Sequence, residues 1–348
     1  MSAEALELRL EESPRYEGAV TTTPYRVSTT STFFPLTSFE PSPEPDWMDR
    51  SDELRSIEGS VANVSDTFNP TARLSERAYF NNLTHLLSLA GFVGTYTAGN
   101  GVITDPDGTV IATGANRWVF NKRTGSAAQT AQLIACYGTS GPWLKGQGYA
   151  VNELGLNAVG ELDVTMEGLV LARLAADPTL TPAYDVSAIL PARRADLILS
   201  WLASSGLTNE FELSIANPLF PYSSYSLAVP SVYRDKMEQG DDRVRLTGTI
   251  SKRSITPADW DAMIQAATFA AIAKWKSQKV IGVTATKYGL WVEMPACQYT
   301  SASPEALGNK RRFGAAYDFW AAYDETLGYD VKITLVNAVT SAALSTYV

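Results

Sequence analysis

Histidine is almost absent from this sequence, because His85 is the only one in 348 residues. A Ser-His-Asp or Cys-His catalytic arrangement would have to use this residue, which lies among Leu83, Leu86 and Leu87 in a predicted helix. We expect a structural histidine there. The sequence also lacks the HExxH, Walker, GxSxG and dinucleotide-binding glycine motifs. These absences predict a protein without catalytic residues, metal ligands or a cofactor, and therefore not an enzyme.

Cysteine is scarce as well. Cys136 and Cys297 are far apart and have no CxxC spacing, so neither a zinc site nor a disulfide framework is indicated. We interpret both as small, buried, apolar residues.

Basic residues are too few and too scattered to form a binding surface for a nucleic acid. Lys and Arg number 28 against 37 Asp and Glu, which gives a formal net charge of −9. The densest basic group, Lys310, Arg311 and Arg312, is too small to release many counterions from a DNA backbone. We therefore expect no specific binding of DNA.

Long apolar runs are missing too. No uninterrupted apolar stretch approaches the ~18 residues of a membrane span, and the N-terminus carries acids where a signal peptide needs bases. We expect a soluble protein that is made in a cytoplasm and has no membrane partner.

The sequence does contain many segments in which apolar and polar residues alternate. In residues 161–167, Leu162, Val164 and Met166 point to one face, and acidic and hydroxyl residues point to the other. The same pattern covers 210–216, 243–251 and 329–335. This alternation predicts half-buried strands, which dominate the chain.

Two amphipathic helices are predicted between the strands. The first covers 76–90, with Ser75 as its N-cap and Gly91 as its terminator. The second begins at Thr256, with Pro257 in its first turn and Asp259 in a capping box. Its apolar face, expected to pack on a sheet, carries Trp260, Met263, Ile264, Ala267 and Ala271. The predicted fold class is mainly β with two flanking helices (α+β).

The segments around the helices suggest an internal repeat. A glycine-containing strand precedes each helix, 56–66 with Gly59 and 243–253 with Gly248. Each unit ends in a similar segment, GELDVTMEGLV in the first and GYDVKITLVNAV in the second. Aligning these two segments matches Asp163 with Asp330. The surplus residues of the first unit can lie in the Gly-rich insertion 97–114. The predicted divisions are an extended N-terminal arm with the first strands (1–55), a first β unit (56–177), a linker (178–195) and a second β unit (196–348).

The layout as a whole resembles a known family. An acidic extended segment is followed by the strand IEGSVANVSD, the helix YFNNLTHLLSLAG and a strand ending in GELDVTM. Downstream come NEFELSIANPL, RVRLTGTISKRSITPADWDAM, KVIGVTATKYGLWVEMP and YDVKITLVNAV. This order resembles that of the tail tube (major tail) proteins of long-tailed siphophages. Because it occurs in two units, the chain is most similar to the two-barrel tube proteins of some very long-tailed phages, including Thermus phages.

The resemblance implies two related β-sandwich or barrel units whose sheets join into a ring-shaped β-barrel. Two-barrel members form trimeric, pseudo-hexameric rings that stack into the tube through which the genome is ejected. The implied partners are other copies of the chain, the tape measure protein, and the tail terminator and tip proteins. Double-stranded DNA would pass through without specific binding. The implied location is the virion tail, after assembly in the host cytoplasm.

Candidate site residues follow from the polar strand faces and the polar segments. Candidates to line the lumen are Glu161, Asp163 and Thr165 in one unit and Asp330, Lys332 and Thr334 in the other. Candidates for contacts between subunits are Trp47, Lys310, Arg311 and Arg312. The arm 1–55 and the loop 301–314 are expected to reach neighbouring subunits or rings. These strand faces could instead contact bulk solvent or an adjacent subunit.

Two other functions stay open. The 8 Trp and 16 Tyr could supply a sugar-binding platform on a carbohydrate-binding or host-attachment β-sandwich protein of the tail tip. We expect these aromatics to fill the core and the subunit interfaces instead, with most of them at inward positions, such as Trp118, Trp260 and Trp275. A hydrolase with an acid pair, such as Glu161 and Asp163, is the third possibility, although alternating carboxylates usually form a solvated strand face.

Overall fold

The computed structural model describes residues 5–10, 32–34, 38–42, 45–48, 64–68, 70–124, 128–137, 142–176, 178, 180, 197–202, 208–222, 236–240, 244–252, 256–307 and 312–342. The protein is mostly β, with 63% strand and two helices in this part of the chain. The predicted mainly β fold class is confirmed. In the described residues, neither helix is long and apolar enough to cross a membrane.

The elements follow one another along the chain. In the first half they are β1 (Ala5–Leu10), β2 (Thr32–Phe34), β3 (Ser38–Ser42), β4 (Pro45–Met48), β5 (Val64–Phe68), β6 (Thr71–Arg77), α1 (Phe80–Leu89), β7 (Phe92–Ala98), β8 (Asn116–Lys122), β9 (Ala131–Cys136), β10 (Trp143–Asn157), β11 (Glu161–Glu167) and β12 (Val170–Arg173). In the second half they are β13 (Leu197–Ser200), β14 (Thr208–Ala216), β15 (Leu219–Tyr222), β16 (Lys236–Gln239), β17 (Arg245–Lys252), α2 (Pro257–Ile264), β18 (Phe269–Val280), β19 (Lys287–Leu307), β20 (Arg312–Ala322) and β21 (Lys332–Asn337).

Eight strands form one sheet that spans both halves of the chain. Their order is β3-β6-β11-β10-β14-β17-β20-β19, and every neighbouring pair is antiparallel. The first half of β19 also pairs with β18 and β21, and β21 pairs with β8. The first half of β10 pairs with β9 and β12, and β9 pairs with β1. The two predicted units therefore share hydrogen-bonded strands.

Alternation decides which side of the sheet is buried. The apolar residues of β11, β14 and β17 face a common core, as the period-two pattern predicted, and α1 packs into it. These core residues include Leu162, Val164, Met166, Phe211, Leu213, Ile215, Leu246 and Ile250. The opposite side of the same strands is polar.

β10 has an irregular register where it passes from one set of partners to the other. The register shifts between Gly146 and Tyr149, and the Tyr149 ring is completely buried there. A Cβ atom at Gly146 or Gly168 would lie 2.3 Å or 2.5 Å from this ring. Glycine is required at both positions because the ring occupies the space of a side chain.

The start of α1 differs from the prediction. Residues 71–77 form β6, and α1 begins only at Phe80, with Tyr79 as an N-cap whose side chain does not cap the helix. Ser75, the predicted cap, lies inside β6. The end is as predicted, because Gly91 follows α1 with a φ of +84°. The predicted strand 56–66 lies mostly outside the described residues, and β6 is the strand that leads into the helix.

α2 has the predicted cap but a different buried face. Thr256 and Asp259 form the capping box, and Pro257 is in the first turn. Trp260 and Ile264 are 49% and 64% exposed, so the prediction that they face the sheet is wrong. The buried residues of α2 are Asp259 and Ala262.

A buried ion pair explains this orientation. Lys252 of β17 contacts Asp259 directly, and their side chains are 3% and 0% exposed. Tyr299 donates its hydroxyl to Asp259 over 3.1 Å, and the Trp201 indole donates to Tyr299 over 3.0 Å. These bonds turn Asp259 toward the sheet and leave Trp260 on the outer side.

The two halves have the same strand arrangement. The four strands β3-β6-β11-β10 correspond to β14-β17-β20-β19. In each set, the second strand leads into a helix, and the third and fourth strands form a hairpin. β11 therefore corresponds to β20. The predicted match of Asp163 with Asp330 is wrong, because Asp330 precedes β21, which pairs with β19 and β8 instead.

The Gly-rich insertion 97–114 folds onto the second half. Asp105 accepts backbone hydrogen bonds from Asp107 and Thr109, which form a turn. Asp107 forms ion pairs with Lys274 and Lys276 of β18. The insertion therefore connects the two halves. The predicted linker lies almost entirely outside the described residues.

Candidate functional site

The side of the eight-stranded sheet that faces away from the core is polar from one edge to the other, and we call it the polar face. A row of residues that stand directly opposite one another on neighbouring strands crosses all eight strands. It consists of Ser38, Ser75, Asp163, Gly155, Ser214, Thr247, Trp320 and Gln298. The adjacent rows have the same alternation because side chains two residues apart share a face. The polar face thus extends over both halves without a break.

Acidic side chains predominate on this face. Its exposed or half-buried carboxylates are Glu40, Glu153, Glu161, Asp163, Glu167, Glu210, Glu212 and Asp318. Its described basic residues are Arg73, Arg77 and Arg245. The face therefore carries a net negative charge and repels polyanions.

Hydroxyl groups orient several of these carboxylates. Ser75 donates to Asp163 on the adjacent strand, and Ser214 donates to Glu153 over 2.9 Å. In the second half, Thr249 donates to Asp318 over 2.9 Å. Such hydrogen bonds hold the acceptor oxygens in place and leave the charge in contact with solvent.

The first set of predicted lumen residues lies on this face. Glu161 and Asp163 are exposed and Thr165 is half-buried, all on β11 near the middle of the first half. Asn157 donates to Glu161 over 2.8 Å. The structure thus brings these three residues together on one solvated surface.

The second set has different surroundings. Asp330 forms an ion pair with Lys122. Burial opposes the charge on Lys332, but its hydrogen bond and attraction to Glu293 raise its pKa overall. Thr334 is only 2% exposed, so the prediction that it lies on a solvated strand face is wrong. Its register neighbours are Trp291 and Val119, which fill the space around it.

The predicted inter-subunit residues are only partly described. Trp47 lies in β4, where its backbone pairs with Ser65 of β5. Lys310 and Arg311 fall outside the described residues. Arg312 is the first residue of β20 and stands opposite Leu307. The expected loop 301–314 is therefore mostly a β-hairpin of β19 and β20.

The sequence predicted the alternation of β14 and β17 but not the part of the polar face that β20 contributes. Asp318 and Trp320 alternate with buried Tyr317 and Phe319 in β20, so the period-two signal was present there. Trp320 is 40% exposed, and its indole donates to Gln298 over 3.0 Å. An aromatic side chain thus stands on the polar face with its orientation fixed.

Two titratable groups are buried away from this face. Burial lowers the pKa of His85 to about 4, which favours the neutral imidazole. Burial also raises the pKa of Glu76 well above its usual value. Within the described ranges, neither carboxylate oxygen of Glu76 has a hydrogen-bond partner. No group of three or more His, Cys, Asp or Glu side chains in that part of the chain could hold a metal ion.

Comparison with known proteins does not identify a family. No protein-family model matches the chain, and no curated protein matches it. The functional interpretation rests on the polar face and on the layout of the sequence.

Proposed function

We propose that this chain is a structural virion protein, the tail tube protein of a long-tailed phage. Three copies form a ring, and stacked rings form the conduit for genome ejection. The tube contacts the tape measure protein inside and the terminator and tip proteins at its ends. The observation that carries this proposal is the continuous polar face, rich in carboxylates, on one eight-stranded sheet, together with the sequence layout described above.

The charge of the polar face suits a channel for DNA. A surface with clustered Lys and Arg would bind passing phosphates by releasing counterions. A face rich in oriented carboxylates, such as Asp163 and Asp318, repels phosphates and stays hydrated. DNA can then move through without being retained.

The strand count suits a closed ring. Three sheets of eight strands joined edge to edge make a barrel of about 24 strands, more than the ~16–18 strands that enclose a water-filled channel in porins. The four-strand arrangement occurs twice per chain, so three chains give a pseudo-sixfold ring. Closure also removes exposed sheet edges, which otherwise promote aggregation.

Assembly of the full-length protein tests the proposal. The purified chain is concentrated and examined by negative-stain electron microscopy and sedimentation. We expect rings or hollow tubes of uniform width. A compact monomer at every concentration and salt tested would contradict a tube function.

Trp320 favours a second candidate, a carbohydrate-binding protein of the tail tip. An exposed indole fixed by Gln298 and flanked by polar groups can stack on a sugar ring. Binding of cell-wall saccharides by a monomer, with loss of binding in Trp320→Ala, would support this candidate. Tubes that bind no saccharide support the tube function.

A further inference from the structure

We propose that β3 of one chain pairs with residues 301–303 of β19 in the next chain, with Glu40 opposite Ser301. This junction rests on the proposed ring assembly and specifies the two edges that form it. The partner is a second copy of this chain, bound head to tail.

Both edges of the eight-stranded sheet are open where the junction would form. In the described part of the chain, β3 pairs only with β6. Among the described residues, the second half of β19 pairs only with β20, because its pairings with β18 and β21 end before residue 298. Unpaired edges offer backbone donors and acceptors to a further strand.

The direction of the strands allows antiparallel pairing. Seven consecutive antiparallel pairings place β3 and β19 in opposite directions. A rotation about an axis along the tube keeps these directions. β3 of one copy therefore meets β19 of the next in the same antiparallel sense as every other pair, and such a heterologous contact closes into a ring when the rotation fits.

The chain already contains one junction of this kind. β10 is the last strand of the set β3-β6-β11-β10, and β14 is the first strand of the set β14-β17-β20-β19. These two strands pair with each other. β19 corresponds to β10, and β3 corresponds to β14. The contact between β19 and β3 of the next chain would thus repeat the internal contact between β10 and β14.

The register can be transferred from the internal junction. Ser75 faces Asp163, and Thr249 faces Asp318, so these two pairs are equivalent. The β10 residue opposite Asp163 is Gly155, and the β19 residue opposite Asp318 is Ser301.

The other edge is aligned in the same way. Ser38 faces Ser75, and Glu212 faces Thr249, which makes Glu40 equivalent to Ser214. Gly155 faces Ser214 inside the chain. Ser301 should consequently face Glu40, Ala302 should face Phe39, and Ser303 should face Ser38.

The side chains at the proposed junction are complementary. On the polar face, Ser301 donates its hydroxyl to Asp318 within the chain, and Glu40 would lie beside this hydroxyl–carboxylate pair. On the core side, the small Ala302 meets the large, buried Phe39. Pro41 and Pro304 lie just outside the contact, where their missing N–H groups limit pairing with other edges.

Disulfide trapping tests the register. In full-length protein carrying Cys136→Ser and Cys297→Ala, Glu40→Cys is combined with Ser301→Cys. Side chains directly opposite each other have Cβ atoms about 4.5–5.5 Å apart, close enough for a disulfide after a small shift. Two control variants combine Glu40→Cys with Thr247→Cys, in the middle of the face, and Ser301→Cys with Ser38→Cys, two residues out of register.

Mild oxidation of the assembled protein should give covalent dimers and trimers on a non-reducing gel only for Glu40→Cys with Ser301→Cys. Tubes without this cross-link, or equal cross-linking in the controls, would overturn the junction but not the tube function. The cross-link in closed rings that never stack would support the junction and contradict the tube function. Absence of both rings and cross-links would contradict both.

Discussion

Asp163 and Asp318 occupy equivalent places in the two halves of the sheet. Each accepts a hydrogen bond from a hydroxyl residue directly opposite on the strand that leads into a helix, Ser75 in one case and Thr249 in the other. Each also stands on the solvated side of its strand. The repeat is therefore one of topology and polar-face chemistry, although the match of residues was not evident from the sequence.

A charge reversal on the polar face tests its proposed role as a channel wall. We expect Glu161→Lys to leave assembly intact and to make tubes retain DNA at low salt, because a new cation attracts phosphates and salt screens that attraction. Retention is measured by co-sedimentation of DNA with tubes over a salt series. Glu325→Lys, an equal charge change in an exposed turn outside the face, is the control and should retain no DNA. Equal behaviour of the two variants would remove Glu161 from the wall.

The glycine beside Tyr149 should tolerate no side chain. Gly168→Ala would place a Cβ 2.5 Å from the ring, and we expect it to lower the free energy of unfolding by about 1–3 kcal/mol. Gly155→Ala is the control, because its nearest contact would be Asp163 O at 3.7 Å. Urea unfolding measures both variants. A Gly168→Ala protein as stable as Gly155→Ala would show that the packing of Tyr149 against this glycine does not contribute to stability.

Removing one charge of the buried ion pair between Lys252 and Asp259 should strongly destabilise the protein. Asp259→Asn leaves the Lys252 ammonium buried without its counter-ion, and we expect a loss of about 3–5 kcal/mol in unfolding free energy. Asp261→Asn, on the exposed side of the same helix, should change it by no more than about 0.5 kcal/mol. Chemical denaturation distinguishes the two, and similar losses in both variants would contradict the role of the ion pair.

His85 should make stability depend on pH. Its folded pKa of about 4 lies below the ordinary value of 6.5, so the unfolded chain binds the proton more tightly. The stabilisation is complete above about pH 6.5 and is lost as the pH falls toward 4, by about 1.4 kcal/mol per pH unit. Between about pH 7 and pH 5 the native protein should lose about 2 kcal/mol more than His85→Leu. Parallel pH profiles of unfolding free energy would show that His85 is not buried in its neutral form.

The alternation of apolar and polar residues predicted many strands of the sheet. The strands that it did not predict correctly have physical explanations. β11 and β14 follow period two throughout, and their buried residues were predicted. In β6 a charged residue, Glu76, occupies an inward position next to Leu74 and interrupts the apolar pattern. The predicted helix begins at residue 76, with Ser75 as its cap, so it includes the last two residues of β6.

Contacts between distant segments could not be predicted from local patterns. The capping box at Thr256 identified the start of α2, but helical periodicity placed Trp260 on the buried side. The buried partner of Asp259 is Lys252, and Tyr299 also binds that carboxylate, so the helix is turned by residues outside it. In the same way, Thr334 is buried by neighbours on two other strands, which period-two alternation within β21 could not reveal.

The central claim is that the polar face lines a channel in a ring of three chains. Cryo-electron microscopy of assembled tubes measures both the number of chains per ring and the side of the sheet that faces the lumen. We predict three chains per ring, with Glu161, Asp163 and Asp318 directed into the channel. Six chains per ring, or a polar face on the outside of the tube, would contradict the account.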